Sequence, residues 1–287
     1  MIKSLLRTFQ FINNHPLASK NRSLAISNWV RWQISTSILK MPVIFPWIGQ
    51  SKLVAERGMT GATGNIYAGL HEFADMAFCL HLLRSGDLFV DVGANIGSYT
   101  VLVSKVLGTN SVTLEPVPQT FERLQRNINI NDISNLVDAR CCAVGATSGS
   151  IKFSTDCDTT NQVVDDKYNG AWIEVPVLSL DEILQTLKPT LIKIDVEGYE
   201  PEIIEGAKET LKSDSLLAIL LETVSPEIEN VLQSNGFISA SYDPFTRKIS
   251  TSNVNRVSNN YLWIKNVEKV IARCQSAPEY QALGINF

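Results

Sequence analysis

The sequence predicts an α/β fold whose central sheet is parallel and doubly wound. From Asp87 onward, short aliphatic and β-branched runs alternate with segments of helical periodicity, which is typical of parallel strands joined by helices. Pro118, Ser179 and Pro226 also stand where helix caps or first turns belong. Strands are predicted at about 88–92, 111–115, 137–142, 190–195, 216–222, 237–242 and 260–265. Helices are predicted at about 97–107, 118–130, 180–187, 200–211 and 225–235.

Segments outside this alternation predict additions to the sheet. Residues 1–65 mix aromatic and basic side chains, and Ser23 is a candidate cap for a helical segment that runs to Leu39. We expect this helical extension to pack on the main domain, with contact to a membrane surface or a partner as the alternative. A glycine-rich loop is expected before a helix at about 72–83, and an added hairpin or edge strands within 149–178. The predicted divisions are an extension (1–65), a main domain (66–265) and a C-terminal tail (266–287).

Composition and charge exclude several classes of protein. The chain has 287 residues, a net charge of −4 and a pI near 5.5, so it has no overall basic field for a nucleic-acid partner. Its five cysteines are odd in number and form no CxxC pair, which argues against a disulfide framework and a zinc cluster, and no metal is predicted. We find no signal peptide and no apolar run long enough to span a bilayer, so a cytoplasmic location is expected.

The strongest local motif, DLFVDVGANIG, occupies residues 87–97. A buried strand ends at Asp91 and a helix begins near Gly97, which places the intervening turn at the carboxyl end of the first strand. Glycines there let the backbone approach a ligand, and the new helix presents unpaired N–H groups. A dinucleotide fits poorly, because the G-x-G-x-x-G pyrophosphate fingerprint has Asn95 in place of its second glycine and only Gly93 and Gly97 stand nearby.

A second signal is Glu115, which follows the next predicted strand 24 residues after Asp91. A carboxylate there can accept hydrogen bonds from both hydroxyls of a ribose, a feature that NAD enzymes share. Phosphate-binding glycines are absent, however, and Asp91, Glu115 and Asp195 place negative charge at neighbouring strand ends. These features favour S-adenosyl-L-methionine, which has no phosphate and carries an ammonium and a sulfonium. Helix capping and solvated strand ends are the alternative for Asp91 and Glu115.

The third motif, LIKIDVEGYE at residues 191–200, ends a predicted strand in two carboxylates, Asp195 and Glu197. This strand should neighbour the first across the switch point, so that one carboxylate can orient the acceptor or accept its proton. Capping of the next helix is the alternative for Glu197. His71 precedes the first strand closely enough to fold over the site and is a third candidate base, with a surface or capping role as its alternative.

These motifs resemble the FkbM family of S-adenosylmethionine-dependent methyltransferases over about residues 66–265. DVGANIGSYT (91–100) is similar to the family's cofactor loop, Glu115-Pro116 to its ribose-binding acid and IKIDVEGYE (192–200) to its hallmark strand and turn. CAVG (142–145) resembles the segment that lines the adenine, and NYLW (260–263) resembles the last strand. The resemblance adds these residues to the cofactor site beside the three acids: Gly93, Ala94, Asn95, Gly97, Ala143 and Val144.

The resemblance also implies a Rossmann-like methyltransferase sheet of seven strands with the last one antiparallel. It implies a cytoplasmic enzyme that O-methylates a hydroxyl of a sugar, a polysaccharide precursor or a secondary metabolite, so the expected partner is a small-molecule or carbohydrate acceptor. Two alternatives stay open at this point: a nicotinamide-dependent oxidoreductase and a non-catalytic binding protein of the same fold. The sequence does not indicate the acceptor's identity or the oligomeric state.

Overall fold

The structure is a computed structural model that describes residues 2–39, 41–56, 59–155, 163–165, 167–252 and 260–287. The helices are α1 (Ile2–Asn14), α2 (Arg22–Leu39), α3 (Thr60–Ala68), α4 (Phe73–Leu82), α5 (Ser98–Leu107), α6 (Pro118–Ile130), α7 (Leu180–Leu184), α8 (Glu200–Glu205), α9 (Lys208–Lys212), α10 (Pro226–Ser234) and α11 (Val267–Gln275). The strands are β1 (Val43–Pro46), β2 (Lys52–Ala55), β3 (Leu88–Val92), β4 (Asn110–Leu114), β5 (Val137–Arg140), β6 (Ala143–Val144), β7 (Gly149–Ser154), β8 (Trp172–Leu178), β9 (Leu191–Ile194), β10 (Ala218–Leu221), β11 (Ile238–Asp243), β12 (Lys248–Ser250), β13 (Tyr261–Ile264), β14 (Gln281–Ala282) and β15 (Ile285–Asn286). A short 3-10 helix, Ala18–Asn21, joins α1 to α2.

The described part of the central sheet has eight strands in the order β12-β11-β13-β10-β9-β3-β4-β5. Strands β5, β4, β3, β9 and β10 are parallel, whereas β13 pairs antiparallel with β10. The chain enters the sheet at β3, builds outward to β5, and returns to β9 on the other side of β3. This order confirms the predicted doubly wound fold and its antiparallel last strand. Its switch point lies between β3 and β9, where the carboxyl ends of parallel strands open a crevice.

The strand sequences explain why helices cover the sheet on both faces. Every residue of β9 (LIKI) and β10 (AILL) is buried, as expected for parallel strands between two helical layers. One face packs against α4, α5 and α11, and the other packs against α7, α8, α9 and α10. Lys193 is the polar residue in β9, and its burial shows that the sheet holds a charge close to the crevice.

The hairpin predicted between residues 149 and 178 is confirmed. Strands β7 and β8 pair antiparallel, and the short strand β6 joins β8 in a separate three-stranded sheet. Apolar side chains of this sheet pack with Val117 and Ala143, which lie at the carboxyl side of the central sheet. The added hairpin therefore forms one wall of the crevice.

Three predicted segments differ from the structure. The prediction of a glycine-rich loop is wrong, because residues 60–68 form α3. Gly64 lies inside this helix where His71 packs against it, and a Cβ on Gly64 would lie 2.1 Å from His71 Nδ1. The helix predicted at 200–211 is divided into α8 and α9 at Gly206, where a Cβ would lie 2.2 Å from the carbonyl oxygen of Gly145. The sheet also gains an eighth strand, β12, which forms a hairpin with β11. In each of the first two cases, close packing rather than a turn requires the glycine.

The N-terminal segment packs on the central domain as predicted. Helix α2 begins at Arg22, where Asn21 Oδ1 accepts the backbone N–H of Leu24 at 3.3 Å, and it buries Trp29 and Trp32 against α3. The predicted boundary at residue 65 falls inside α3, and the division into domains stays a prediction. Residues 266–287 form α11 and the β14–β15 hairpin. None of the helices in the described ranges is both long and apolar enough to cross a membrane.

Candidate active site

Two connected clefts open at the carboxyl ends of β3, β4 and β9. The first cleft has a volume of about 630 Å³ and lies beside β4, β6 and the β7–β8 hairpin. The second cleft, of about 870 Å³, lies beside α3, α4 and the start of α5. Both are lined by Gly93, Asn95, Asp195 and Glu197, which therefore mark their junction. The two predicted motifs at residues 87–97 and 191–200 meet at this point, as the strand order requires.

The turn after β3 depends on two glycines with positive φ. Gly93 has φ +76°, and a Cβ on it would lie 2.0 Å from the carbonyl oxygen of Asp195. Gly97 has φ +81°, and a Cβ there would lie 2.3 Å from the Leu124 side chain. The backbone N–H groups of Gly93 and Ala94 both donate to the carbonyl of Leu114 at 3.0 Å, which fixes this turn against the end of β4. The glycines thus bring the backbone of three strand ends together without side chains between them.

Glu115 lies in the first cleft and is almost completely buried. Its Oε2 accepts the backbone N–H of Asn95 at 2.9 Å, and its Oε1 accepts that of Val117 at 3.0 Å. Burial raises the pKa of Glu115 to about 7, against the opposing effect of these two hydrogen bonds. Each carboxyl oxygen keeps a second lone pair for a ligand hydroxyl. The side chains of Ala143 and Val144 flank this acid and give the cleft apolar walls.

Asp91 lies in the second cleft at the end of β3 and is only 1% exposed. Its Oδ2 accepts a hydrogen bond from Thr100 Oγ1 at 2.7 Å, whereas its Oδ1 is buried and has no partner among the described residues. Burial raises the pKa of Asp91, and the Lys193 ammonium opposes that shift. A buried carboxylate oxygen without a donor is costly, so it is a candidate contact for a cationic ligand group.

Lys193 compensates part of the negative charge in the second cleft. Its Nζ lies 2.6 Å from Asp195 Oδ2 and 4.7 Å from the centre of the Tyr99 ring. Burial opposes the lysine charge, but the carboxylates of Asp195, Glu72 and Asp91 together raise the pKa of Lys193. Burial would likewise raise the pKa of Asp195, yet Lys193 outweighs it and lowers that pKa. Asp195 is therefore ionised at neutral pH and held in place by the lysine.

Glu197 is exposed at the junction and has φ +53°, a left-handed conformation that is uncommon outside glycine. Its backbone N–H donates to Glu222 Oε2 at 3.3 Å, which supports this conformation. Burial and the charges of Asp195 and Glu200 raise the pKa of Glu197. The interpretation of Glu197 as a helix cap is wrong, because α8 begins at Glu200 and its N-cap residue is Tyr199, with no side-chain cap hydrogen bond. Its carboxyl group is thus free to face the junction.

His71 lies in the wall of the second cleft, but its ring is constrained. The backbone N–H of His71 donates to Asn65 Oδ1 at 2.8 Å, and its carbonyl accepts from His15 Nε2 at 3.1 Å. The Nδ1 atom is buried against Gly64 and has no partner among the described residues. Burial lowers the pKa of His71, so that the ring is neutral at physiological pH. The structure brings His71 to the cleft, and its role as a base stays a prediction.

Sequence reasoning missed four residues that shape the second cleft. Lys193 lies inside the third motif, two residues before its ion-pair partner Asp195, but its closeness to Glu72 and Asp91 depends on how other segments pack. Glu222 directly follows β10, so the strand-end rule that found Glu115 could also have found it. Tyr99 donates to Glu72 Oε2 at 2.8 Å, a contact over 27 residues that no local pattern predicts.

The residues at both clefts fit the predicted cofactor. The buried Asp91 Oδ1 matches an ammonium, the two free lone pairs of Glu115 match a ribose diol, and the turn at Gly93 leaves no side chain over the junction. The second cleft contains four carboxyl groups and one lysine, so its charge favours a cation. Within the described ranges, no group of three or more potential ligand residues is placed to hold a metal. Asp156, Asp158 and Asn161, which alternate as in some calcium loops, lie outside those ranges.

Comparison with known proteins identifies the same segment. The family model described as Methyltransferase FkbM domain matches residues 91–239, just over half of the chain. Methyltransferase sdnD of Sordaria araneosa is 24% identical over 205 residues, which cover 58% of this chain and 79% of that protein. The hexuronic acid methyltransferase AglP of Haloferax volcanii is 27% identical over 165 residues, which cover 56% of this chain and 67% of that protein. The matched segment contains Asp91, Glu115 and Asp195.

Among solved structures, the precorrin-6Y C5,15-methyltransferase of Geobacter metallireducens GS-15 superposes with a TM-score of 0.41 and 14% identity. The superposition covers 74% of this chain and 92% of that one.

Proposed function

The chain belongs to the FkbM methyltransferase family, and we propose that it methylates a hydroxyl oxygen of a sugar, a polysaccharide precursor or a secondary metabolite. Its cofactor is S-adenosyl-L-methionine. Membership of this family therefore excludes the alternative of a nicotinamide-dependent oxidoreductase. When bound, the cofactor supplies an electrophilic methyl group on a sulfonium. The observation that carries the proposal is the junction of the two clefts, where Asp195 and Glu197 have pKa values shifted in opposite directions.

The first cleft is proposed to hold the nucleoside half of the cofactor. Glu115 accepts the ribose hydroxyls, and Ala143 and Val144 contact the adenine with their apolar surfaces. The turn at Gly93–Gly97 would hold the cofactor through its backbone, since the glycine at position 93 leaves no side chain there to prevent close approach. Asp91 Oδ1 accepts a hydrogen bond from the ammonium at the other end. This placement extends the cofactor from the first cleft across the junction to Asp91, and it leaves the part of the second cleft beside Asn65 and Ser98 for the acceptor.

Methyl transfer to a hydroxyl needs alignment of the oxygen and removal of its proton. Asp195 is held ionised by Lys193 at 2.6 Å, so it can accept a hydrogen bond from the acceptor hydroxyl but is a weak base. The raised pKa of Glu197 makes this exposed carboxylate the better proton acceptor. Two carboxyl groups whose environments separate their pKa values commonly divide such roles. We therefore assign orientation to Asp195 and proton acceptance to Glu197.

The charge of the second cleft supports a neutral acceptor. Glu72, Asp91, Asp195 and Glu197 face it, and among the described residues that line it Lys193 is the one compensating cation, so a carboxylate or phosphate next to the reacting oxygen would be repelled. Asn65 and Ser98 also line this cleft and offer neutral hydrogen-bonding groups suited to a hydroxylated molecule. A relative that is named a hexuronic acid methyltransferase supports a carbohydrate class, but not a neutral charge, since a hexuronic acid carries a carboxyl group. A cytoplasmic location stays a prediction.

The experiment compares Glu197→Gln with Glu205→Gln, an exposed control on α8. Methyl transfer from labelled S-adenosyl-L-methionine is measured on a panel of neutral glycosides and uronic acids, and S-adenosylhomocysteine affinity is measured by calorimetry. We expect Glu197→Gln to lower turnover on the order of 100-fold or more while affinity changes less than about threefold, since general-base catalysis contributes this much. Glu205→Gln should behave as the parent.

Two results would overturn these assignments. Unchanged turnover in Glu197→Gln would exclude this residue as the base, and His71→Gln then tests the remaining candidate. Tight cofactor binding without methyl transfer to any acceptor on the panel would support a non-catalytic protein that keeps the fold.

A further inference from the structure

Charge is distributed unevenly along the chain, and the N-terminal segment carries a positive excess. The first 55 residues contain seven Lys or Arg and no Asp or Glu, and Glu56 is the first acidic residue. The whole chain has 25 basic and 29 acidic residues, so residues 56–287 have 18 and 29. The segment therefore has a net charge of +7, against −11 for the remainder. A field of this sign attracts anionic surfaces that the protein as a whole would repel.

The same segment exposes apolar side chains. Thirteen large apolar side chains are exposed in the described residues, and eight of them belong to residues 6–44. On α2, Val30, Ile34 and Ile38 follow a four-residue spacing and form one outward stripe, opposite the face that buries Trp29 and Trp32. Ile34 and Ile38 are 55% and 72% exposed. A helix that is apolar on its buried face and again on its outer face has an unpartnered surface.

Basic residues border the stripe on α2. Arg22 and Arg31 are exposed, and neither forms an ion pair or a side-chain hydrogen bond within the described part of the chain. Arg31 and Leu24 also line a cleft of about 1130 Å³ between α2, β1 and the β14–β15 hairpin, which we call the N-terminal cleft. Its walls include Trp32 and Trp47, which line the side of α2 that faces the rest of the protein.

We propose that the outward face of α2 docks the protein on a membrane rich in anionic phospholipids. The apolar stripe enters the headgroup boundary while Arg22 and Arg31 contact lipid phosphates, as in other interfacial helices with apolar and basic residues. A two-fold dimer is a less favourable occupant, because it would place the same positive patch of each copy against the other. Asn65 lines both the N-terminal cleft and the second cleft, so α3 lies between these two clefts, and α2 lies between α3 and the membrane in this arrangement.

The test is co-sedimentation of the full chain with vesicles, carried out without an acceptor so that it does not depend on the reaction. Vesicles of phosphatidylcholine alone are compared with vesicles that contain about a third phosphatidylglycerol, at about 50 mM and about 500 mM salt. We expect binding only to the anionic vesicles and a marked weakening at the higher salt concentration.

Two double variants separate the apolar and electrostatic contributions. Ile34→Gln with Ile38→Gln should weaken vesicle binding on the order of 100-fold, since two exposed side chains lose their insertion. Arg22→Gln with Arg31→Gln should weaken it about 30-fold, at about fivefold per charge. The control is Lys208→Gln with Lys212→Gln, which removes two exposed charges from α9 and should leave binding unchanged. Affinity for S-adenosylhomocysteine should be the same in all three.

Absence of sedimentation with anionic vesicles would overturn the proposal, as would equal loss of binding in the α9 control. Self-association of the parent that the α2 variants abolish, without vesicle binding, would assign the surface to a second copy of the chain instead.

Discussion

The first and second clefts share a junction, yet they are built in different ways. The first cleft consists of strand ends, backbone N–H groups and apolar walls, and Glu115 accepts a hydrogen bond from the turn after β3. The second cleft is a network of charged side chains from distant segments, in which Lys193, Asp195, Tyr99 and Glu72 depend on one another. We infer that the two clefts have different roles. The backbone geometry of the first cleft determines how the cofactor binds there, and the charged side chains of the second cleft determine the reaction and the choice of acceptor.

The strongest test of this comparison is Gly93→Ala at the junction. A Cβ there would lie 2.0 Å from the Asp195 carbonyl oxygen, and φ +76° is unfavourable for alanine, so the turn must move. We expect S-adenosylhomocysteine affinity, measured by calorimetry, to fall more than about 100-fold and the free energy of unfolding to fall by about 3 kcal/mol or more.

Gly86→Ala is the matched control for Gly93→Ala. Gly86 has φ +86°, but nothing lies within 4 Å of the position of its Cβ. It should lose only about 1–2 kcal/mol of stability from backbone strain and keep its cofactor affinity. If the two variants lose affinity equally, close backbone approach is not what forms the first cleft.

Asp91→Asn tests the charge of the second cleft. Burial raises the pKa of Asp91, so removing its charge relieves a desolvation cost, and we expect the ligand-free melting temperature to stay the same or rise. Affinity for S-adenosylhomocysteine, which retains the ammonium, should fall about 30-fold because a charge-assisted hydrogen bond is lost. The two quantities therefore move in opposite directions.

Asp87→Asn is the control for Asp91→Asn, because Asp87 directly precedes β3 and so lies at the opposite end of that strand from Asp91. Asp87 pairs with Arg273 at 2.6 Å, far from both clefts in the sheet, so its loss should lower the melting temperature and leave affinity within about twofold. Unchanged affinity in Asp91→Asn would remove the ammonium contact from the proposed cofactor placement.

The same comparison explains which features were predictable. Gly93 and Glu115 lie at strand ends, and the order of a doubly wound sheet brings consecutive strand ends together, so local motifs sufficed for these residues of the first cleft. The contact of Tyr99 with Glu72 depends on how α4 packs against α5, and sequence periodicity does not specify that packing. The prediction of a loop in place of α3 fails for a related reason. Gly64 is required by the close packing of His71, seven residues away, and not by a turn.

The pH dependence of cofactor affinity distinguishes the clefts further. Ribose hydroxyls donate to the ionised form of Glu115, whose pKa is raised to about 7 by burial. Below pH 7 the Glu115 carboxyl group is mostly protonated and must lose its proton before the ribose hydroxyls can donate to it. Affinity for S-adenosylhomocysteine should therefore fall about tenfold from pH 8 to pH 6. Glu115→Gln should bind more weakly at pH 8 and show a flat profile.

Stability should follow the opposite trend for this group. Because the folded pKa of Glu115 lies above the unfolded value, its stabilising contribution is fully present below about pH 4.5 and is lost as pH rises through 7. Glu222, whose pKa burial and neighbouring carboxylates also raise to about 7, is the control. Glu222→Gln should keep the pH dependence of affinity, and a flat profile in that variant would assign the titration to Glu222 instead of Glu115.

The smallest predicted effect comes from Tyr99→Phe, which removes one hydroxyl from the charged network and keeps the ring beside Lys193. Glu72 loses the 2.8 Å hydrogen bond that Tyr99 donates, so the free energy of unfolding should fall by about 1 kcal/mol. Turnover or acceptor KM should change about threefold to fivefold, while cofactor affinity stays within about twofold. Tyr242→Phe is the control, since it removes a buried hydroxyl that bonds to His81 at 2.6 Å and lines neither cleft. It should lower stability and leave the kinetics unchanged. If cofactor affinity in Tyr99→Phe falls as far as turnover does, the two clefts act as a single unit, because a loss confined to the second cleft leaves the nucleoside contacts intact.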